Sequence, residues 1–198
     1  MKNFVKFTLI LVAFALFNSC IENTKNKETE IINNCFLNIV DTFAYKYHNL
    51  RPGSEDPIFD APGELNIAVY HNLVNLNKWK SEILSSLSEL KDSSLFNEYS
   101  LVLNHYANDT LEKKLNIAEI KKIGRYTLKK YTNPYIHKQD GFIGHITFCR
   151  VAYNEDLGKA ILVATIASDI KSGVVKLFLL KKHANDWKVF NEFTLEVW

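Results

Sequence analysis

The chain is poor in the residues and spacings from which readable active sites are built. Its seven glycines form neither a G-x-x-x-x-G-K-[ST] loop nor a G-x-G-x-x-G turn, which excludes those two backbone cradles for phosphate. The histidines His48, His71, His105, His137, His145 and His183 include no H-x-x-x-H pair, and no C-x-x-C occurs. The spacings that usually bring zinc ligands together are therefore missing, and no metal or other cofactor is expected. No G-x-S-x-G elbow presents a nucleophilic serine. Charge of one sign is scarce too, with 24 basic against 22 acidic residues. Removal of Lys2 and Lys6 with a leader would leave 22 of each. A neutral chain has no net field to gather nucleic acid, which is excluded as a partner, or to attract an anionic membrane face.

What is present begins at the amino terminus. Lys2 and Lys6 give a positive start, Phe7 to Phe17 is apolar except for Thr8, and Asn18-Ser19 is a short polar step before Cys20. A positive region, a short apolar core and a small residue at a cleavage point describe a secretory signal. The apolar run falls short of the roughly 20 residues that cross a bilayer. Phe17-Asn18-Ser19-Cys20 resembles the lipobox of bacterial lipoproteins, with Ser19 and Cys20 matching and Leu16 one place early. The resemblance implies cleavage before Cys20, thioether lipidation of its sulfur and an acylated new amino terminus. Acyl chains hold a protein to membrane by about 0.8 kcal/mol per buried CH₂, so several together make a stable anchor. An ordinary signal peptide releasing a soluble protein is the alternative. The expected organisation is a signal over residues 1–19, a polar tether over 20–29 and one domain over 30–198 in the cell envelope.

The hydrophobic content of 47% and aromatic content of 13% are globular values, sufficient for a real core. Cys35 and Cys149 either pair, as an oxidising envelope allows, or serve as small buried residues. From about Glu28 to His48, Ile32, Phe36, Ile39 and Phe43 recur at helical spacing, widened by Ile31, Cys35 and Val40, which predicts a long amphipathic helix. Pro52, Pro57 and Pro62 mark a loop. Leu65 to Val74 is ambiguous, and helical spacing returns over Trp79–Leu90 and Leu95–Tyr106. After Leu115 the texture turns to strands: "IGRYTLKKYT", "GFIGHITFCRVAYN", "KAILVATIAS", "VVKLFLLKK" and "WKVFNEFTLEVW". In the last of these, Trp187, Val189, Phe193, Leu195 and Val197 are expected on one side, interrupted by Asn191. "AILVATIA" is apolar on both faces, as in a strand covered on each side. The expected fold is α+β, with amino-terminal helices packed on a curved carboxyl-terminal antiparallel sheet.

"GHITFCRVAYNEDLGKAILVA" with "KLFLLKKHANDWKV" resembles the carboxyl-terminal part of lipoproteins from Bacteroidetes-type bacteria. "NDWKVFNEF" is also similar to the last strand of cone-shaped NTF2-like domains. The second resemblance implies a cone whose mouth would gather polar residues from apolar strands: His145, Arg150, Tyr153 and Asn191. Outward-facing positions are the plainer reading of all four. His145 and Cys149 share a strand face, without further ligands to make a metal site. Glu55, Asp56, Asp60 and Glu64 enrich one loop in acid but lack the alternating order that wraps calcium. Asp109-Thr110-Leu111 matches the D-[ST]-aliphatic pattern at which such bacteria attach O-glycans, which would place a sugar on Thr110. The function these features suggest is a lipid-anchored domain that binds a protein or small molecule. Rivals are a pocketed carrier or acid/base enzyme, and an accessory or immunity subunit using an apolar patch that includes Tyr45, Tyr47, Trp79 and Trp198.

Overall fold

The computed structural model describes residues 26–41, 65–106, 113–131, 142–169 and 172–198. The segment ending at Cys20, the acidic loop with Glu55 and Asp60, the motif at Thr110, and Tyr45 and Tyr47 lie outside the described residues.

Helix α1 spans Lys27–Asp41, and the described residues of its expected stripe, Ile31, Ile32, Cys35, Phe36, Ile39 and Val40, are all buried, Phe43 lying outside the described residues. Glu28 and Glu30 occupy its first turn, where negative charge favours the helix dipole. Glu28 and Thr29, from the stretch read as tether, are themselves buried. Strands β1 (Leu65–Val69) and β2 (Asn72–Leu73) settle the ambiguous stretch. A 3₁₀ turn at Leu76–Trp79 leads into α2 (Lys80–Ser88) and α3 (Ser93–Tyr106). Asp92 starts α3 by accepting the Ser94 N–H at 2.9 Å, as a helix cap does. β3 (Lys113–Lys114), a second 3₁₀ turn at Ile117–Glu119 and β4 (Tyr126–Lys130) follow. The remaining strands are β5 (Phe142–Phe148), β6 (Ala152–Asn154), β7 (Lys159–Asp169), β8 (Ser172–His183) and β9 (Asp186–Val197).

The main sheet is open and runs β4-β1-β5-β7-β8-β9, with β6 also paired to β7. Its carboxyl-terminal part is antiparallel as expected, but β1 lies parallel to both β4 and β5, so the sheet is mixed. The reason is the crossover: the chain leaves β1, builds α2 and α3, and returns to β4 in the same direction, which a tight hairpin cannot do.

Both faces of the sheet are covered. On one face α1 packs with Leu162, Phe178, Leu180 and Trp187; on the other, α2 and α3 pack with Ile161, Val163, Leu177 and Leu179. Consecutive residues of β7 and β8 thus enter different cores, which explains why "AILVATIA" shows no alternation. Trp79 belongs to the second core, while Trp198 is exposed. The β9 alternation departs from its expected register. Leu180 pairs with Val189 but Leu179 pairs with Asn191, leaving Phe190 as an extra residue. Such a bulge flips the sides beyond it. Trp187 and Val189 therefore face α1, whereas Phe193 and Leu195 face α2 and α3.

Phe178 lies fully buried beneath α1. Phe178→Ala is expected to cost about 3–5 kcal/mol of stability, read as a lower urea midpoint at unchanged slope. A loss below about 1 kcal/mol would show that α1 does not seal this face.

Candidate functional site

The stretch expected as one strand from Gly141 to Asn154 holds two, β5 and β6, because the ladder slips at Cys149-Arg150-Val151. Phe148 pairs with Ala164 and Ala152 with Ile161, so the three residues between them stand opposite only two on β7, Leu162 and Val163. The Cys149 N–H donates to the Val163 carbonyl at 2.8 Å and the Arg150 N–H to the Val74 carbonyl at 2.7 Å. The Val151 N–H turns instead to a side chain, donating to Glu28 Oε2 at 2.9 Å. A carboxylate from the first turn of α1 thereby takes the place of a strand carbonyl.

The same carboxylate receives Arg150. Nε lies 3.0 Å from both Glu28 oxygens, and Nη2 lies 3.0 Å from Oε1. Glu28 and Arg150 are 1% and 2% exposed, so this is an interior ion pair. Lys113 Nζ adds a third cationic contact at 3.0 Å to Oε1 from a half-exposed position. The Tyr106 ring, at the end of α3, lies 5.5 Å from the guanidinium carbon, within cation–π range. His105, Tyr153 and Val151 complete a cleft of about 220 Å³, smaller than the roughly 300–1,000 Å³ of small-molecule pockets. The carboxylate is shared among four donors: Arg150 Nε and Nη2, Lys113 Nζ and the Val151 N–H. The arrangement is a clasp joining α1, the bulge and β3.

Of the four residues expected at a cone mouth, Arg150 and Tyr153 do meet in this cleft. His145 and Asn191 do not join them. His145 sits on β5 with the Tyr131 ring at 5.4 Å, and Asn191 sits on β9, where its Oδ1 accepts the Glu192 N–H. β7 and β8 separate those two strands, placing them about 14 Å apart at normal strand spacing. His145 and Cys149 are also separated along their strand by about 13 Å at strand rise. They cannot share one ion, and no group of three metal-binding side chains occurs among the described residues.

Glu28 and Lys113 were missed as site residues. Glu28 reads in sequence as a charge at a helix start, and its partner lies 122 residues away. The available signal was Arg150 itself, since an arginine inside an apolar strand needs a carboxylate from somewhere.

Cys35 and Cys149 are free and buried in the two separate cores; the sheet between them accounts for the absence of a disulfide. The Cys35 Sγ donates to the Trp187 carbonyl at 3.5 Å. Burial pushes both thiols up to about 12, which withholds the thiolate that nucleophilic chemistry requires.

Compared with protein-family models, curated proteins and solved structures, the chain matches none.

Glu28→Gln leaves Arg150 with too little compensation and is expected to cost about 3–5 kcal/mol. In a double-mutant cycle with Arg150→Met, denaturation should reveal coupling of about 2 kcal/mol; additive losses would show that the pair is not a unit. The thiols make a separate prediction about pH. An unfolded thiol titrates near about 8.5, below the folded values, so the neutral-thiol contribution is intact under that pH and shrinks above it. Stability should fall by about 1.4 kcal/mol per pH unit per thiol between about pH 9 and 11. Under reducing conditions, Cys35→Ala/Cys149→Ala should flatten that fall; an unchanged slope would contradict thiol burial as its source.

Proposed function

We propose that this chain is a lipid-anchored cell-envelope protein whose domain acts by binding. The observation that carries the reading is the positive start, the short apolar run to Phe17 and the Ser19-Cys20 step that ends it. Together they describe an export signal finishing at an acylated cysteine. The position of α1 supports it. Its first residue, Lys27, follows Cys20 by seven places, so an anchored Cys20 would hold the domain close to the bilayer with a short polar spacer between. Among the described residues no helix is long and apolar enough to cross a membrane, and attachment in this reading comes from the lipid.

Binding is favoured over catalysis by the state of the groups that chemistry would use. Both described cysteines are held in the thiol form, and the Glu28 carboxylate is occupied by Arg150, Lys113 and a backbone N–H. His145 and Asn191, which an acid–base pocket would recruit, are not among the residues lining the Arg150 cleft. They sit on β5 and β9, paired with Ala167 and Leu179 and separated from each other by β7 and β8.

Wild-type protein purified from the envelope is expected to carry acyl mass on Cys20 and to partition with membranes. Cys20→Ala should fold, lack that mass and leave the membrane fraction. Intact mass spectrometry with fractionation decides the matter: an unacylated wild type, or a Cys20→Ala variant that still sediments with membranes, would end the anchor reading.

A further inference from the structure

The nearly balanced charge total, 24 basic against 22 acidic residues, conceals a separation of charge. Residues Lys113 to Lys130 hold seven basic side chains and one acidic one, Glu119. The fold bends this segment into the wall of a groove of about 670 Å³, bounded by β4 and the strap from Leu115 to Ile123. Ile117, Ile123 and Leu128 are partly buried and supply its apolar floor. Lys114, Lys121 and Lys130 stand exposed along it, and among the described residues no carboxylate lines it.

These lysines differ from many others in the protein. Lys27, Lys113, Lys122, Lys159 and Lys176 each meet a carboxylate at 2.8–3.0 Å. Lys114, Lys121 and Lys130 meet none among the described residues. Protection of a sheet edge accounts for a lysine on β4 such as Lys130. It does not account for Lys114 and Lys121, which come from β3 and the strap and converge on the same groove. Three cations around an apolar floor match a ligand with an anionic head and a hydrocarbon tail.

The groove also lies near the proposed anchor. The Asn26 amide donates to the Lys114 carbonyl at 3.3 Å. Asn26 follows Cys20 by six residues, which span at most about 22 Å when extended. A cysteine held at a bilayer therefore brings the lysine rim within reach of its headgroups. We propose that this groove holds an anionic phospholipid of the membrane to which Cys20 is fixed. The phosphate would lie on the lysine rim and part of an acyl chain on Ile117, Ile123 and Leu128. The inference rests on the anchor reading for its source of lipid.

The test is native mass spectrometry of full-length protein purified in a zwitterionic detergent and titrated with phosphatidylglycerol or phosphatidylcholine. Wild type should retain a single phosphatidylglycerol with at least about tenfold preference over phosphatidylcholine. Lys114→Gln/Lys121→Gln/Lys130→Gln should abolish the preference while keeping its melting temperature. Lys80→Gln/Lys91→Gln/Lys188→Gln, with the same change in charge elsewhere, should keep the preference. Should the groove triple variant fail to fold, Lys121→Gln alone is expected to weaken retention about threefold. Equal retention of the two lipids by wild type, or undiminished preference in the groove variants, overturns the proposal. The same spectra report the mass on Cys20. An acylated protein without the preference loses the lipid site and keeps the anchor, whereas an unacylated protein with the preference loses the anchor and keeps the site.

Discussion

A single carboxylate at the start of α1 reconciles a helix, a sheet and an irregularity between them. The slip at Cys149-Arg150-Val151 frees a backbone N–H and turns an arginine into the interior, two costs that an apolar core cannot absorb. Glu28 meets both, taking the Val151 N–H and the Arg150 guanidinium, while Lys113 ties the short β2–β3 ribbon to the same oxygens. Around it Lys27 joins Glu30 and Glu155, and Lys182 also joins Glu155, so the first turn of α1 is bound to the β6–β7 turn as well. Replacing the pair with apolar residues of similar size could give equal stability, as buried pairs often show. Such a replacement would remove the directional contact that sets where α1 meets the bulge.

That placement has consequences for the rest of the molecule. With its first turn held, α1 lays its apolar stripe over one face of β7, β8 and β9, and the Asn33 side chain accepts the N–H groups of Lys121 and Lys122. The strap from Leu115 to Ile123 is thereby fixed beside β4, and the lysine-rimmed groove acquires its shape. A contact that is structural in itself thus organises the surface on which the binding proposal rests. The opposite face is closed by α2 and α3, where the Tyr99 hydroxyl donates to the Leu180 carbonyl. Its burial raises the phenol's pKa, a sign of how little solvent reaches that core.

Much of the architecture was legible because local periodicity carries it. The stripe of α1, the helical spacing of α2 and α3, and the doubly apolar β7 each follow from which side chains must leave water. The slips were not legible. Nothing local marks Phe190 or Arg150 as the extra residue in a ladder, since a bulge is decided by the register of both neighbours at once. The misplaced sides of Phe193 and Leu195 follow from that. The parallel pairing of β1 with β4 and β5 was equally hidden, because Leu65–Val69 is short and its partners lie beyond two helices.

The candidate site divides along the same line. Sequence alone marked Arg150 as a polar residue out of place, located Cys20 at the end of an apolar run, and ruled out several catalytic spacings. Each of those statements concerns neighbours along the chain, where residue type and spacing determine the physics directly. Only the tertiary structure chose Glu28 as the partner of Arg150, separated His145 and Asn191 from that pair, and gathered Lys114, Lys121 and Lys130 on one groove. Charge totals cannot anticipate such a gathering, because the field at a surface depends on where charges sit and which of them are already paired.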